Sequence, residues 1–441
     1  MYRSQCAQRR AVPYAAIVGV TALLLWFSSS PRAQETRQPK QRTLIRAGHV
    51  LHVKTGKETP AQTIIVSGDR ITSIAATAST PAQAGDKEID LSKFYVMPGL
   101  IDVHAHLTLQ PGGNPYALKS PAQAALIGAE HARMKLDEGT TTVRNVGAWD
   151  FSDVALRDEV DAGRLPGPHM QVSGPPLSIT GGHCDINLFP SEYHLERPGV
   201  ADGVAAVQHK VRENIKYGVD LIKVCATGGV SSKGDDPQAS QYTQEELQVI
   251  IVEAHRLGRK VAAHAHGAQG ILWATEAGAD SIEHGSYISD AEIAAMKAHG
   301  TYLVPTAYVY NWVQQHGGLP DYAGKKMQQV AVGAKANLRR AISAGVKVAL
   351  GTDLNRPNAA AHEVEVYVNE LGMTPLAALQ AGTISAADLM GWADRVGSLD
   401  PGKWADIIAV ATDPLKDVRV LQQILFVMKG GIVYKSIGHH D

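Results

Sequence analysis

The chain has 441 residues, 44% of them hydrophobic and 19% charged, with a formal net charge of −1 at pH 7. That length allows a large core and more than one structural unit. The near-zero charge gives no electrostatic reason to expect nucleic acid or a polyanionic partner, and the sequence holds no solenoid-period repeat.

Arg3, Arg9 and Arg10 precede an apolar stretch from Tyr14 to about Phe27, followed by SSSPRAQ. Basic, apolar and small polar residues in that order are the mark of a secretory signal, and the stretch is short for a membrane span. Residues 1–33 are therefore expected to be a signal peptide cleaved near Ala33, with an uncleaved anchor as the alternative. The mature chain would then be periplasmic or secreted and free of the membrane. It would keep Cys184 and Cys225. Two cysteines make no disulfide framework in a chain this long; a single bridge between them is open, and both read as small lining residues rather than nucleophiles.

Residues 34–93 begin with a polar lead-in and continue as short alternating strands, TLIRAGHVLHV and TIIVSGDRITSIAA, broken by Gly/Asp turns. Residues 393–441 carry a matching pattern in WADIIAV and LFVMKGGIVYKS. Neither piece encloses much core alone. Together they are expected to form one small β-sandwich, with residues 94–392 inserted between them as a separate domain.

The inserted segment alternates strand and helix. Its candidate strands are FYVMPGLIDVHAH, TTTVRNVG, PHMQVSG, DLIKVCATGG, KVAAHAHG, DSIEHGS, TYLVPTA and KVALGTDL. Several intervening helices open on a capping residue and close on glycine, as between Thr243 and Gly258. Eight strands, each followed by helix, predict an α/β fold of the (β/α)8 TIM-barrel type, whose active site lies at the carboxyl ends of the strands.

The unusual residues gather at those ends. Asp102, His104 and His106 share one face of the first strand; Lys223 lies in the fourth, His264 and His266 end the fifth, His284 the sixth and Asp353 the eighth. Imidazoles, carboxylates and a lysine at matching ends of five strands point to a metal site rather than core packing. Lys223 needs its own account, because an ammonium aimed at a metal repels it. Either the neutral amine forms a Schiff base with a carbonyl substrate, or it takes up carbon dioxide as a carbamate whose oxygens bridge two cations. The number of imidazoles nearby favours the carbamate.

The motifs PGLIDVHAHL, LIKVCATGG, VAAHAHG, SIEHG and LGTDL resemble the amidohydrolase superfamily of metal-dependent hydrolases. They are most similar to its imidazolonepropionase-related branch of Xaa-Pro dipeptidases, carboxypeptidases and ochratoxin amidohydrolases, across nearly all of residues 42–436. The resemblance implies that His104, His106 and Asp353 hold the more buried of two divalent ions, and that N6-carboxylated Lys223 bridges both. His264 and His284 would hold the second ion, leaving His266 as a lining residue. From the residues alone, His264 and His266 face the same way and the choice stays open. Zinc is the expected ion, with manganese and cobalt also compatible with the ligands.

Two such cations lower the pKa of a shared water and polarise a scissile carbonyl. Asp353 is then placed to pass the water's proton to the leaving amine. The resemblance also assigns His183, in TGGHCD on the long loop after the third strand, to the substrate carbonyl as an oxyanion stabiliser. It implies a small-molecule substrate, the amide bond of an N-acyl amino acid or dipeptide with a free carboxylate, including ochratoxin-type phenylalanine amides. Arg144 and Tyr242 are candidates to bind that carboxylate, with Lys233 and Arg356 beside them. Tyr308, Tyr310 and Trp312 are candidates to line an apolar pocket or pack on the following helix, and Asn145 stands where relatives often have aspartate. Relatives commonly form homo-oligomers. The competing expectations are a cyclic-amide hydrolase of imidazolonepropionase type, a Schiff-base lyase using Lys223, and a non-catalytic scaffold, which would be expected to have lost ligands.

Overall fold

The computed structural model describes residues 41–109, 119–185, 188–194 and 197–436. The expected signal peptide lies outside these residues. Among them no helix is long and apolar enough to cross a membrane.

The chain enters through four strands, β1 (Arg42–His52), β2 (Lys57–Ser67), β3 (Arg70–Ala76) and β4 (Lys87–Pro98). Seven strands of a parallel barrel follow. They are β5 (Leu100–Ala105), β6 (Thr140–Asn145), β7 (His169–Val172), β8 (Leu221–Cys225), β9 (Lys260–Ala265), β10 (Ser281–His284) and β11 (Tyr302–Val304). The chain ends in β12 (Ile407–Val410), β13 (Phe426–Lys429) and β14 (Ile432–Lys435).

Both chain ends share one seven-stranded sheet, ordered β14-β13-β12-β4-β1-β2-β3. The join is β4, which pairs parallel with β1 on one edge and antiparallel with β12 on the other. Ile45, Val50, Ile64, Val96, Ile407 and Phe426 form a core of its own, distinct from that of the barrel. The predicted first barrel strand is divided. Residues 94–98 belong to β4 and to the sheet, and the barrel begins only at Leu100. Gly99 makes the break: its N–H bonds Asp406 O at 3.0 Å, and a Cβ there would overlap the Thr141 side chain. The barrel therefore starts six residues beyond the start expected at residue 94.

The barrel strands are buried on both faces, as parallel strands sheathed in helices must be. The eighth position is filled by residues 346–350 without a regular ladder. Leu303 N donates to Lys347 O at 2.8 Å on one side, and Val103 N donates to Leu350 O at 2.8 Å on the other. Between β7 and β8 the ring is completed by Leu177 N to Lys223 O at 2.8 Å. Helices alternate with the strands, and Thr243 and Glu246 form a full capping box at the start of Gln244–Arg256. Gly258 follows that helix with φ of +74°, a conformation glycine adopts without strain.

One ion pair inside the barrel ties the first strand to the last. Asp102 and Lys135 are both fully buried, 2.9 Å apart. Asp102 Oδ1 accepts from the backbone N–H groups of His104 and Thr352, each at 3.1 Å, and its Oδ2 accepts from Thr352 Oγ1 at 2.7 Å. A charge at such depth persists only when paired. Replacing Lys135 by Ala is expected to cost about 3–5 kcal/mol in denaturant unfolding, because Asp102 is left uncompensated. Adding Asp102→Asn to that variant should recover part of the loss; strictly additive losses would mean the two groups act separately.

Candidate metal centre

The strand-end residues named from the sequence converge at one end of the barrel. His104 Nε2 and His106 Nε2 are 3.3 Å apart, and Asp353 Oδ1 lies 3.6 Å from the first and 3.3 Å from the second. His104, His284 and Asp353 offer donor atoms within 4.8 Å of one another, and so do His264, His266 and His284. His284 and Asp353 have φ of +72° and +53°, a left-handed backbone that non-glycine residues seldom adopt. Strain of this kind collects where side chains must be aimed.

The hydrogen bonds around the rings decide which nitrogens carry lone pairs. His104 Nδ1 is 2.6 Å from Glu283 Oε2, so the hydrogen sits on Nδ1 and Nε2 faces the centre bare. His264 Nε2 donates to Gly228 O at 3.1 Å, which leaves Nδ1 with its lone pair. Thr306 Oγ1 donates to Pro305 O, so it accepts from His284 Nδ1 at 2.8 Å and frees Nε2. Burial, and secondarily the charge of Lys223, pushes the His106 imidazole down to about 3. Burial likewise holds His104, His264 and His284 well below the ordinary imidazole value. Neutral rings with converging lone pairs repel one another unless a cation lies between them. Metal–nitrogen bonds of about 2.0–2.1 Å hold tetrahedral ligand atoms about as far apart as His104 and His106 present theirs. The donor set fits a divalent ion.

Lys223 is buried among these groups, 3% exposed, and its ammonium forms no hydrogen bond or ion pair with any described residue. Burial pushes it down to about 8, against the pull of Glu283 and Asp353. Burial also pushes the Asp353 carboxyl up to about 7, with Lys223 opposing. A buried lysine without a hydrogen-bonding partner amid imidazoles calls for a chemical change or a further ligand.

Above the centre lies a cavity of about 230 Å³ whose walls include Leu109, Trp149, Val230, Tyr310, Trp312 and Met327. His183 lines it and stacks on His264, with ring centroids 4.1 Å apart. The adjacent Cys184 is joined by a disulfide to Cys225 of β8, so the bridge left open by the sequence is present. Two expected substrate contacts lie elsewhere. Arg144 is buried beneath the centre, donating to Val103 O at 2.6 Å and pairing with Glu283 at 2.8 Å. Tyr242 is buried and donates to Ala201 O at 3.2 Å. Neither lines the cavity, because each has a fixed internal acceptor. Lys233 is exposed, and Tyr308 stacks on His362 away from the cavity. Asn145 donates to Asp153 at 3.1 Å and its Oδ1 accepts from Leu107 N at 2.7 Å, so it shapes the turn after β5.

Arg356 does reach the cavity, its guanidinium 4.8 Å from the Trp312 ring centre. Sequence reasoning missed Arg197, which lines the cavity with its guanidinium 5.0 Å from Trp149 and donates to Cys184 O at 2.7 Å. It also missed Glu283, though the SIEHG motif held the signal: a carboxylate beside a ligand histidine, buried to 0%. Partners that fix a ligand's tautomer commonly change metal affinity by about 10–100-fold when removed. Glu283→Gln is expected to weaken metal retention by that factor, read by titration against a chelator; unchanged retention would show that Glu283 does not set the ring.

A family model for the amidohydrolase family matches residues 95–433. The chain is 36% identical to ochratoxinase of Aspergillus niger over 372 residues, covering 78% of this chain and 76% of that protein. It is 28% identical to an imidazolonepropionase of Symbiobacterium thermophilum over 361 residues, 74% of this chain and 76% of that protein. Among solved structures, a Xaa-Pro dipeptidase with methionine in its active site superposes with a TM-score of 0.84 at 33% identity, covering 90% of this chain and all of the other. The A. niger ochratoxinase structure superposes at 0.80 and 32%, covering 91% and 97%. The chain therefore belongs to the amidohydrolase family and is a hydrolase acting on amide bonds.

Proposed function

We propose that this protein is a binuclear metal-dependent amidase that cleaves the amide bond of N-acyl amino acids or dipeptides bearing a free carboxylate. The observation that carries the reading is the convergence of His104, His106 and Asp353 within 3.6 Å beside a buried Lys223 that has no hydrogen-bonding partner among the described residues. His104, His106 and Asp353 would hold one ion, His264 and His284 the other, and Lys223, as N6-carboxylysine, would bridge them. Such ions, zinc by preference, supply an activated water and a polarised carbonyl. A lysine whose charge is disfavoured by burial has more free amine to react with carbon dioxide than an exposed one. Asp353 would take the proton from the attacking water and return it to the leaving nitrogen.

The cavity supports the substrate class. Its walls are mostly apolar and aromatic, which suits an acyl group or side chain of hydrophobic character. Arg197 and Arg356 are its two arginines among the described residues, each backed by an indole, and are the groups placed to meet a carboxylate. The named activities of the ochratoxinase and the Xaa-Pro dipeptidase agree with an amide of this kind. The disulfide is of the sort that persists in oxidising compartments, in keeping with export.

Metal-loaded protein is expected to contain close to two ions per chain and to release amino acid from a panel of N-acyl amino acids and dipeptides. One ion per chain and activity confined to cyclic amides would favour the imidazolonepropionase-like alternative. Lys223→Ala is expected to lose bound metal and activity together, with partial rescue by a small carboxylate such as propionate; full activity in that variant sinks the bridging carbamate. Arg197→Met and Arg356→Met are each expected to raise KM by about 10–100-fold for carboxylate substrates, the value of a charge-assisted hydrogen bond. The corresponding amides, with the carboxylate blocked, should show little change.

A further inference from the structure

His183 stands off the barrel strands, yet it is held in several ways. Its backbone N–H donates to Gln241 Oε1 at 3.0 Å, and its ring stacks on His264. The face of the ring lies on Gly229, where any Cβ would overlap it. The disulfide from Cys184 fixes the next residue to β8. Finally, Nδ1 is 2.8 Å from Ser232 Oγ, whose own oxygen is 2.6 Å from Asp235 Oδ1.

That last chain has a direction. Asp235 pairs with Lys326 Nζ at 2.5 Å and takes the Gly229 N–H at 2.9 Å. Burial pushes its carboxyl up, but Lys326, Ser232 and His183 together hold it below the ordinary carboxylate value, so it is ionised. An ionised carboxylate accepts only, and a hydroxyl has one hydrogen to give. Ser232 must spend that hydrogen on Asp235, which leaves its oxygen able only to accept from His183. The hydrogen of the imidazole is thereby placed on Nδ1. Nε2 forms no hydrogen bond with a described residue, and His183 lines the cavity.

We propose that Ser232 and Asp235 are positioning residues: they lock the tautomer and orientation of His183 so that Nε2 is the atom offered to the substrate. Lys326, from the helix Asp321–Ser343, anchors the pair, and Gly229 provides the bed for the ring. The expectation that His183 serves the substrate carbonyl concerns what Nε2 touches; Ser232 and Asp235 decide that it is Nε2 and not Nδ1 that does so. This rests on the amidase reading for its kinetic consequence but not for the tautomer itself.

Two measurements test it. Imidazole nitrogen NMR of the metal-loaded protein should show the His183 hydrogen on Nδ1, and Ser232→Ala should abolish that preference. A hydrogen on Nε2 alone in the wild type overturns the proposal, whether or not an amide substrate has been found. With a hydrolysed N-acyl amino acid, Ser232→Ala and Asp235→Asn should each lower kcat by about 10–100-fold at unchanged metal content, and Ser232→Thr, which keeps the hydroxyl, should stay near wild type. In a His183→Ala background the Ser232→Ala change should cost nothing more, because residues acting through one another are not additive. An equal loss in both backgrounds overturns the relay. A wild type that hydrolyses none of the panel defeats the amidase reading and leaves the tautomer measurement to decide this one.

Discussion

The barrel mouth depends on the buried pair of Asp102 and Lys135. Through that carboxylate the first strand holds the backbone leading into Asp353, so two metal-facing segments from opposite ends of the barrel sequence move as one body. Glu283 does the same work from another side, receiving Arg144 and fixing the His104 ring. His104 is thus gripped at its backbone by one buried carboxylate and at its ring by another. Each carboxylate has a dedicated cation, Lys135 for Asp102 and Arg144 for Glu283, an arrangement that costs desolvation and returns geometric definition. The cations are therefore part of the centre even though neither touches the cavity.

Burial sets the electrostatics above that foundation. The imidazoles are kept neutral, and those of His104, His264 and His284 have a carboxylate, backbone and hydroxyl acceptor respectively that chooses the tautomer. A donor set prepared in this way loses little order when an ion arrives, which is the physical meaning of preorganisation at a metal site. The cavity above is of different character. It is mostly apolar, with two arginines laid on indole faces, so it combines a hydrophobic wall with two separate points of positive charge.

The strand-end residues were legible because strand periodicity is local. A histidine two residues from another, at the end of an apolar run, declares its face without reference to the rest of the chain. The partners were not legible for the opposite reason. Lys135 lies on a helix whose pattern marks it as one more solvated lysine, and its partner Thr352 is 217 residues away. Arg144 read as a substrate contact because an arginine near a strand end is usually exposed; nothing local says that Glu283, 139 residues on, closes over it. Arg197 lies on a loop without periodicity at all. The division of FYVMPGLIDVHAH between two sheets was hidden in a single glycine, since an unbroken apolar run carries no mark of a change of partners.

The composite sheet has a consequence for the order in which the molecule can be built. Its central strand β4 is flanked by β1 from the beginning of the chain and β12 from the end, and the outermost β14 closes only at Lys435. Until β12 (Ile407–Val410) has been made, one edge of β4 offers unpaired backbone to whatever strand is near. Completion of the sheet therefore waits until the whole barrel has been made, because β12 follows the last barrel residues. Without β12, β13 and β14 the sheet would keep β4 as an exposed edge, so a truncation ahead of Ile407 damages the N-terminal strands as well as removing the C-terminal ones.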